Sequence, residues 1–156
     1  MFYFMNEYVE KYRKVVNGLI NKSFPSLREK KFKIFEFGVI RIYGIYLLGN
    51  FIGMNKKCRD FSEDKIKGIL AHELCHAEYS NKIGFLKSCL IFIRYWLFAK
   101  LRIKEEIKTD KQTIKKGYAK ELFELVKKIE LDLDRKDVRY GLSSEQIKTY
   151  AKKIKK

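Results

Sequence analysis

The sequence predicts an α+β fold in a single domain, with a short β-rich segment between helices. The 156 residues are 46% hydrophobic and 15% aromatic, which is enough apolar material for one core. Most of the chain places apolar residues at helical spacing. Residues 31–55 differ, because β-branched and aromatic side chains dominate there and four glycines interrupt them. We therefore expect a small twisted three-stranded sheet packed against several helices, with no second domain.

The boundaries of the elements follow from caps and helix breakers. Pro25, the only proline, follows the end of the first helical pattern. The helix after the sheet is capped either by Asp60, with Glu63 completing a capping box, or by Ser62. Gly117 is a natural end for a later helix. The predicted elements are a helix over about 5–22, a sheet over about 31–55, a helix over about 62–80, a basic amphipathic helix over about 84–104, a further helix to about 116, and C-terminal helices over 118–156.

Both histidines of the chain lie in one five-residue segment, His72-Glu73-Leu74-Cys75-His76. On a helix, residues four apart share one face, so both imidazoles can reach a single metal ion while Glu73 lies beside them. The alternative is an ordinary pair of polar helix residues. Cys75 projects away from the shared face, which indicates a small buried residue and not a ligand.

A catalytic zinc ion usually has three protein ligands and a water, so two histidines require a third partner. The chain has no other histidine, which leaves a carboxylate from Glu105, Glu106 or Asp110. Periodicity does not decide between the two glutamates. Glu106 and Asp110 share a helix face, so one can bind the metal while the other orients an imidazole ring. The alternative is a solvated face on which these acids pair with Lys108 or Lys111.

These two motifs resemble those of the gluzincin metallopeptidases, which carry H-E-x-x-H on one helix and E-x-x-x-D on a later one. The chain is most similar to the minimal soluble gluzincins, or minigluzincins, and to the catalytic domains of integral-membrane peptidases that act on prenylated or misfolded membrane proteins. The similarity covers roughly Lys31 to Ile129. Thr109 stands where an alanine is usual. The resemblance implies a zincin-like fold with an active-site helix.

The resemblance also implies zinc-dependent endopeptidase activity. One Zn²⁺ ion would be held by His72, His76 and Glu106. Glu73 would be the general base that takes a proton from the attacking water, and Asp110 would orient a ligating histidine. A latent form, with the cleft covered by the C-terminal helices or by a neighbouring copy, is a variant of this hypothesis. The substrate would be a peptide or protein.

The same resemblance places a strand along the substrate cleft, where an extended peptide could bind by main-chain hydrogen bonds. The residues of that strand would be Asn50, Phe51, Ile52, Gly53 and Met54. Some gluzincins stabilise the oxyanion with a further histidine, which this chain lacks. The candidates to replace it are Tyr140, Arg139 and Tyr118.

The formal net charge of +16 favours acidic partners, phosphate backbones or anionic lipid. It supports an alternative function, a non-catalytic basic binding module for nucleic acid or anionic membrane. The absence of a recognised nucleic-acid motif argues against nucleic acid. No acidic residue occurs between Glu78 and Glu105. This segment is either an interfacial helix in contact with anionic membrane, or a core or homodimer helix whose basic residues face solvent.

Three cysteines without a C-x-x-C spacing indicate a reducing compartment. The N-terminal residues lack the basic start and the apolar length of a signal peptide. No apolar run approaches the roughly 20 residues of a membrane-spanning helix. We therefore expect a cytoplasmic protein, either free or peripherally bound to membrane.

Overall fold

The computed structural model describes residues 6–38, 42–132 and 141–154 and confirms the α+β class. Three strands form one mixed sheet, and the helices that mainly contact it are the N-terminal helix and the helix that follows the sheet. Two short 3-10 turns, Pro25–Leu27 and Lys56–Asp60, precede and follow the sheet. The helices and strands are α1 (Glu7–Ser23), β1 (Lys33–Phe37), β2 (Gly44–Leu47), β3 (Phe51–Asn55), α2 (Glu63–Ile83), α3 (Phe85–Leu97), α4 (Ala99–Lys115), α5 (Ala119–Asp132) and α6 (Ser144–Ile154).

The sheet has the order β1-β3-β2, with β3 parallel to β1 and antiparallel to β2. This corrects the prediction that the strand formed by Asn50, Phe51, Ile52, Gly53 and Met54 borders a cleft. β3 is the central strand and pairs on both sides, so it has no edge for a peptide. Asn50 lies in the preceding turn, where it and Gly49 both have positive φ and reverse the chain between β2 and β3. β2 is the edge strand that packs against α2.

One hydrophobic core joins the two ends of the chain around α2. Ser62, one of the two predicted caps, is the N-cap of α2. The buried face of α2 packs against α1, α5 and β2, while α4 lies along another side. The largest fully buried side chains come from α1 and the residue that ends it, the central strand, α2, α5 and α6, and include Tyr12, Phe24, Ile52, Met54, Ile66, Leu70, Leu74, Leu122 and Ile147.

The predicted basic helix over 84–104 is divided in the structure. Phe98 has extended backbone, φ −123° and ψ 105°, and separates α3 from α4. No glycine or proline marks this break, so sequence periodicity runs through it. The Arg102 Nε–H donates to the Tyr95 carbonyl at 3.3 Å, which holds the two helices at an angle. Gly117, with φ 96°, ends α4 as predicted.

Of the side chains of α3 that the structure describes, only that of Ser88 is buried, and it donates to the Gly84 carbonyl at 2.8 Å. None of these described side chains belongs to the hydrophobic core. They give no support to the core alternative for this segment. Among the described residues, no helix has the length and apolar content needed to cross a bilayer.

The contact between α2 and α5 depends on Gly68. A Cβ atom built on Gly68 would lie 2.5 Å from the Glu121 carbonyl oxygen and 2.8 Å from its carbon. Because both are backbone atoms of a helix, they cannot move aside as a flexible side chain could. We expect Gly68→Ala to lower the free energy of unfolding by about 2 to 3 kcal/mol. Chemical denaturation with circular dichroism measures the change.

Gly18 provides the matched control, since it is also a glycine inside a helix but has no atom within 4 Å of the position that a Cβ would occupy. Gly18→Ala should raise the free energy of unfolding by about 0.5 to 1 kcal/mol, because alanine favours the helical state. Equal effects of the two substitutions would contradict the close approach of α2 and α5.

Candidate metal centre

Two imidazole rings of α2 form the centre of the site. His72 and His76 lie one helical turn apart, and their Nε2 atoms are 3.2 Å from each other. The ring centroids are 4.9 Å apart with the rings edge to face. Both side chains are partly exposed, whereas Leu70 and Leu74 on the opposite side of the helix are buried in the core. Packing of one face of α2 therefore fixes the position of both histidines.

The third side chain comes from α4. Glu106 Oε2 lies 3.2 Å from His72 Nε2, and Glu106 Oε1 lies 3.5 Å from His76 Nε2. Glu105, the other candidate, faces away and has Oε2 3.7 Å from Lys108 Nζ. The structure thus brings together Glu106 and the two histidines, a choice that periodicity left open.

The donor set and its spacing fit a divalent metal ion. One ligand atom from each of His72, His76 and Glu106 lies within 4.8 Å of the others. Tetrahedral ligands at the usual zinc distance of about 2.0 to 2.1 Å would lie about 3.3 Å from one another. The two Nε2 atoms are 3.2 Å apart, which is close to that value, and each has one oxygen of Glu106 at 3.2 or 3.5 Å. Two imidazoles and one carboxylate are the donor types of several catalytic zinc sites.

Asp110 holds the His72 ring from behind. Its Oδ1 lies 2.9 Å from His72 Nδ1, and its Oδ2 accepts a 2.7 Å hydrogen bond from the Leu142 backbone N–H. The Asp110 side chain is 0% exposed. A carboxylate at Nδ1 keeps a proton on that nitrogen, so Nε2, which faces Glu106, is the nitrogen that could bind a metal ion once it has no proton of its own. The structure thus places Asp110 where the sequence motif predicted it.

Thr109 is the corresponding neighbour of His76. Its hydroxyl donates to the Glu105 carbonyl at 2.9 Å, and its Oγ1 lies 3.5 Å from His76 Nδ1. Because the hydroxyl proton is already used, Oγ1 can act only as an acceptor towards an N–H at Nδ1. Thr109, in the place of the usual alanine, therefore gives His76 a long and weak hydrogen-bond acceptor at Nδ1. This acceptor favours the tautomer with the proton on Nδ1, as Asp110 does for His72.

Burial and pairing determine the charges of the ligands. Burial opposes charge on His72, but its hydrogen bonds to Asp110 and Glu106 outweigh this and raise its pKa well above the ordinary value. Burial also opposes charge on Glu106, but its contacts with both histidines hold the pKa of that carboxyl well below the ordinary value. Glu106 is therefore an anionic donor, the form that binds metal.

Glu73 lies beside the ligand atoms, between α2 and the edge strand β2. It is 7% exposed, and the Tyr46 backbone N–H donates to its carboxylate. Burial raises the pKa of Glu73, while His72 and His76 lower it in part. A Cβ atom on Gly44 would come within 2.9 Å of Glu73 Oε1, so the glycine makes room for the carboxylate.

Tyr95 of α3 is a site residue that sequence reasoning missed. Its hydroxyl donates to Glu106 Oε1 at 2.7 Å. Burial and the nearby Glu106 raise the pKa of Tyr95 above its ordinary value, so the phenol keeps its proton at neutral pH. No sequence signal links the two residues, because the apolar periodicity runs through the helix break at Phe98 and gives no sign of it.

Of the predicted oxyanion candidates, Tyr118 is placed elsewhere by the structure. Its ring is buried and stacked on Phe24, and its hydroxyl shares a 2.8 Å hydrogen bond with Ser23 Oγ. This corrects its assignment to the site, since a tyrosine that completes the core between α1 and α5 has no free hydroxyl for a substrate. Arg139 and Tyr140 lie outside the described residues.

Cys75 lies between the two histidines in sequence, but its side chain projects from a different, buried side of α2. The Thr113 hydroxyl donates to its Sγ at 3.5 Å. Burial raises the pKa of the Cys75 thiol to about 11, so the sulfur stays protonated at neutral pH. A buried thiol of this kind is a packing residue and not a metal ligand.

A scan against protein-family models gives no match, and searches of curated proteins and of solved structures give no significant match either. A functional assignment therefore depends on the residues of the site and their geometry.

Zinc binding should distinguish the two adjacent glutamates of α4. We expect Glu106→Gln to weaken Zn²⁺ binding by about 100-fold or more, because a neutral amide replaces an anionic ligand. Glu105→Gln removes the same charge one residue earlier and should leave the affinity unchanged. Competition with a chromogenic chelator measures both variants. Equal zinc affinities would contradict the assignment of Glu106 as a ligand.

Proposed function

We propose that this protein is a zinc-dependent endopeptidase of the gluzincin type, with a zincin-like arrangement of sheet and active-site helix. The observation that carries the proposal is the combination of three candidate ligand residues with a further carboxylate, that of Glu73, which is buried beside them. His72, His76 and Glu106 supply the ligand atoms. Glu73 is next to them in space but is held by the Tyr46 N–H. Hydrolysis by an activated water requires a carboxylate that lies beside the metal site and is not itself a metal ligand.

The residues of the site have complementary roles. When bound, zinc would polarise the scissile carbonyl and lower the pKa of water towards about 7. Glu73 accepts a proton from the attacking water and later delivers it to the leaving amine. The raised pKa of Glu73 suits this exchange, because a base with a pKa closer to neutrality both accepts and releases protons readily. Asp110 keeps the His72 ring in the tautomer that can bind metal.

The edge strand β2 is the proposed binding site for an extended peptide. The Asn55 N–H donates to the Tyr43 carbonyl, so Tyr43 and, by alternation, Ile45 and Leu47 direct their backbone groups towards β3. Gly44 and Tyr46 direct theirs away from β3. The Tyr46 N–H donates to Glu73, so a peptide would pair with the Gly44 N–H and with the carbonyls of both residues. A peptide that adds to this edge would pair with β2, in place of the strand expected from sequence.

Tyr95 is the proposed oxyanion donor. It is a protonated phenol in contact with a metal ligand, and its hydroxyl can turn from Glu106 to a developing negative charge nearby. This role replaces the downstream histidine that the chain lacks.

The first test of the activity is Glu73→Gln. The amide keeps the shape of the side chain and can still accept from the Tyr46 N–H, but it cannot take a proton. We expect zinc binding to be retained and kcat to fall by about 1,000-fold or more. A fluorescence-quenched peptide library assays hydrolysis, and zinc content is measured on the same samples.

Glu63→Gln is the matched control, because Glu63 lies at the start of the same helix and its side chain is 67% exposed. It should leave hydrolysis unchanged. His72→Ala should abolish both zinc binding and hydrolysis. Normal cleavage by Glu73→Gln would contradict the role of this carboxylate, and zinc-loaded wild-type protein that cleaves no peptide would contradict the proposed activity.

A separate test concerns Tyr95→Phe. Loss of one oxyanion donor should lower kcat by about 100-fold, with KM and zinc affinity little changed. Tyr150→Phe in α6 is the control and should have no effect. If Tyr95→Phe weakened zinc binding and left kcat of the loaded protein unchanged, the hydroxyl would serve only to position Glu106.

A further inference from the structure

The outward side of α3 is the largest concentration of exposed apolar side chains in the described residues. Nine large hydrophobic residues are exposed in the described part of the chain, and six of them lie between positions 85 and 98. Leu86, Leu90, Ile93 and Leu97 recur at helical spacing and are 55% to 80% exposed. We call these four residues the α3 face. Phe85 and Phe98, at the two ends of the helix, extend it.

Along one side of the α3 face, the helix carries positive charge. Lys87 and Arg94 are exposed beside it on the same helix, and Lys82, Lys100 and Lys104 are exposed on the flanking turns. No aspartate or glutamate occurs between Glu78 and Glu105. An apolar stripe with basic residues along one side and at its ends is complementary to a surface that is apolar beneath and anionic on top.

We propose that the α3 face binds the surface of an anionic lipid bilayer, with the helix lying in the plane of the interface. The leucines and isoleucine would enter the boundary between headgroups and acyl chains, and Lys87 and Arg94 would meet the lipid phosphates. The 13 residues of α3 span about 20 Å, which is shorter than the bilayer core of about 30 Å and suits an in-plane position.

A bilayer explains both properties of this surface better than the other occupants do. A symmetric contact between two copies would bring Lys87 and Arg94 of each chain together, in a protein of net charge +16, with no acid in the segment to offset them. Nucleic acid would use the basic residues but leave the leucines exposed, since its binding rests on phosphate contacts. The remaining occupant is a protein whose surface is both acidic and apolar, and the experiment below tests for it.

The opposite side of α3 faces the metal centre. Tyr95 donates to Glu106 there, and Ser88 is buried against the turn at Gly84. One helix would therefore contact lipid on one side and the metal centre on the other. The lipid-binding proposal does not depend on peptide hydrolysis, because it is measured as binding.

The experiment is co-sedimentation of the full chain with large unilamellar vesicles. Wild-type protein should bind vesicles of phosphatidylglycerol and phosphatidylcholine in equal parts, and bind vesicles of phosphatidylcholine alone at least about tenfold more weakly. The double variant Leu86→Gln/Leu90→Gln should lower the partition coefficient on anionic vesicles by about tenfold or more. Leu131→Gln is the matched control, since Leu131 is a 76% exposed leucine on α5, and it should bind as wild type does.

A second pair of variants separates a local effect from net charge. Lys87→Gln/Arg94→Gln should lower binding by about 10-fold to 30-fold. Lys152→Gln/Lys153→Gln removes the same charge from exposed positions of α6 and should have a much smaller effect. Equal losses in the two double variants would show that total charge alone attracts the protein, which would overturn the proposal.

Three further outcomes would also overturn it. One is wild-type protein that does not bind anionic vesicles at low salt. Another is a wild-type dimer in light scattering that Leu86→Gln/Leu90→Gln converts to a monomer while lipid binding stays unchanged. This result would assign the α3 face to a second copy of the chain. A third is that this variant still binds vesicles but no longer binds an acidic protein, which would assign the α3 face to a protein partner. Circular dichroism checks that each variant is folded, and zinc-free and zinc-loaded samples should give the same partition coefficients.

Discussion

The arrangement of the site depends on one buried carboxylate. Asp110 is fully enclosed, and a buried charged group of this kind is tolerated only when its oxygens are hydrogen-bonded. It meets this requirement by binding the His72 ring on α2 with one oxygen and the Leu142 amide before α6 with the other. Since Asp110 itself belongs to α4, three helices must keep their relative positions to satisfy it. The orientation of the His72 ring therefore follows from the packing of the whole helical layer.

The helix α2 serves the core and the site at the same time, and two glycines make this possible. Gly68 allows the backbone of α5 to approach one side, and Gly44 allows β2 to approach near Glu73. Both contacts are closer than any larger residue permits. Glu73 is consequently enclosed between a helix and a strand edge, where it is desolvated and held by a backbone N–H. Tight packing and a raised pKa thus have the same structural origin.

The parts of this structure that could be predicted are those that local spacing determines. The α+β class followed from the change of periodicity at residues 31–55, and the shared face of His72 and His76 followed from their separation of four. Strand order could not be predicted, because alternation reports which face of a strand is buried but not which strand is its neighbour. The pairing of Tyr95 with Glu106 was hidden for a related reason. It depends on a helix break that no glycine or proline announces, and a tertiary contact holds that break.

The link between Asp110 and Leu142 has a consequence for the order of folding during synthesis. The two residues are 32 positions apart, so this hydrogen bond must wait until the segment before α6 has been translated. A growing chain that has completed α2 and α4 already carries His72, His76 and Glu106, yet the carboxylate behind His72 still lacks one of its partners. The His72 ring would then gain its full support only after the chain has been made through Leu142. In a half-made chain, the carboxylate that orients this ring would itself be held less firmly than in the finished one.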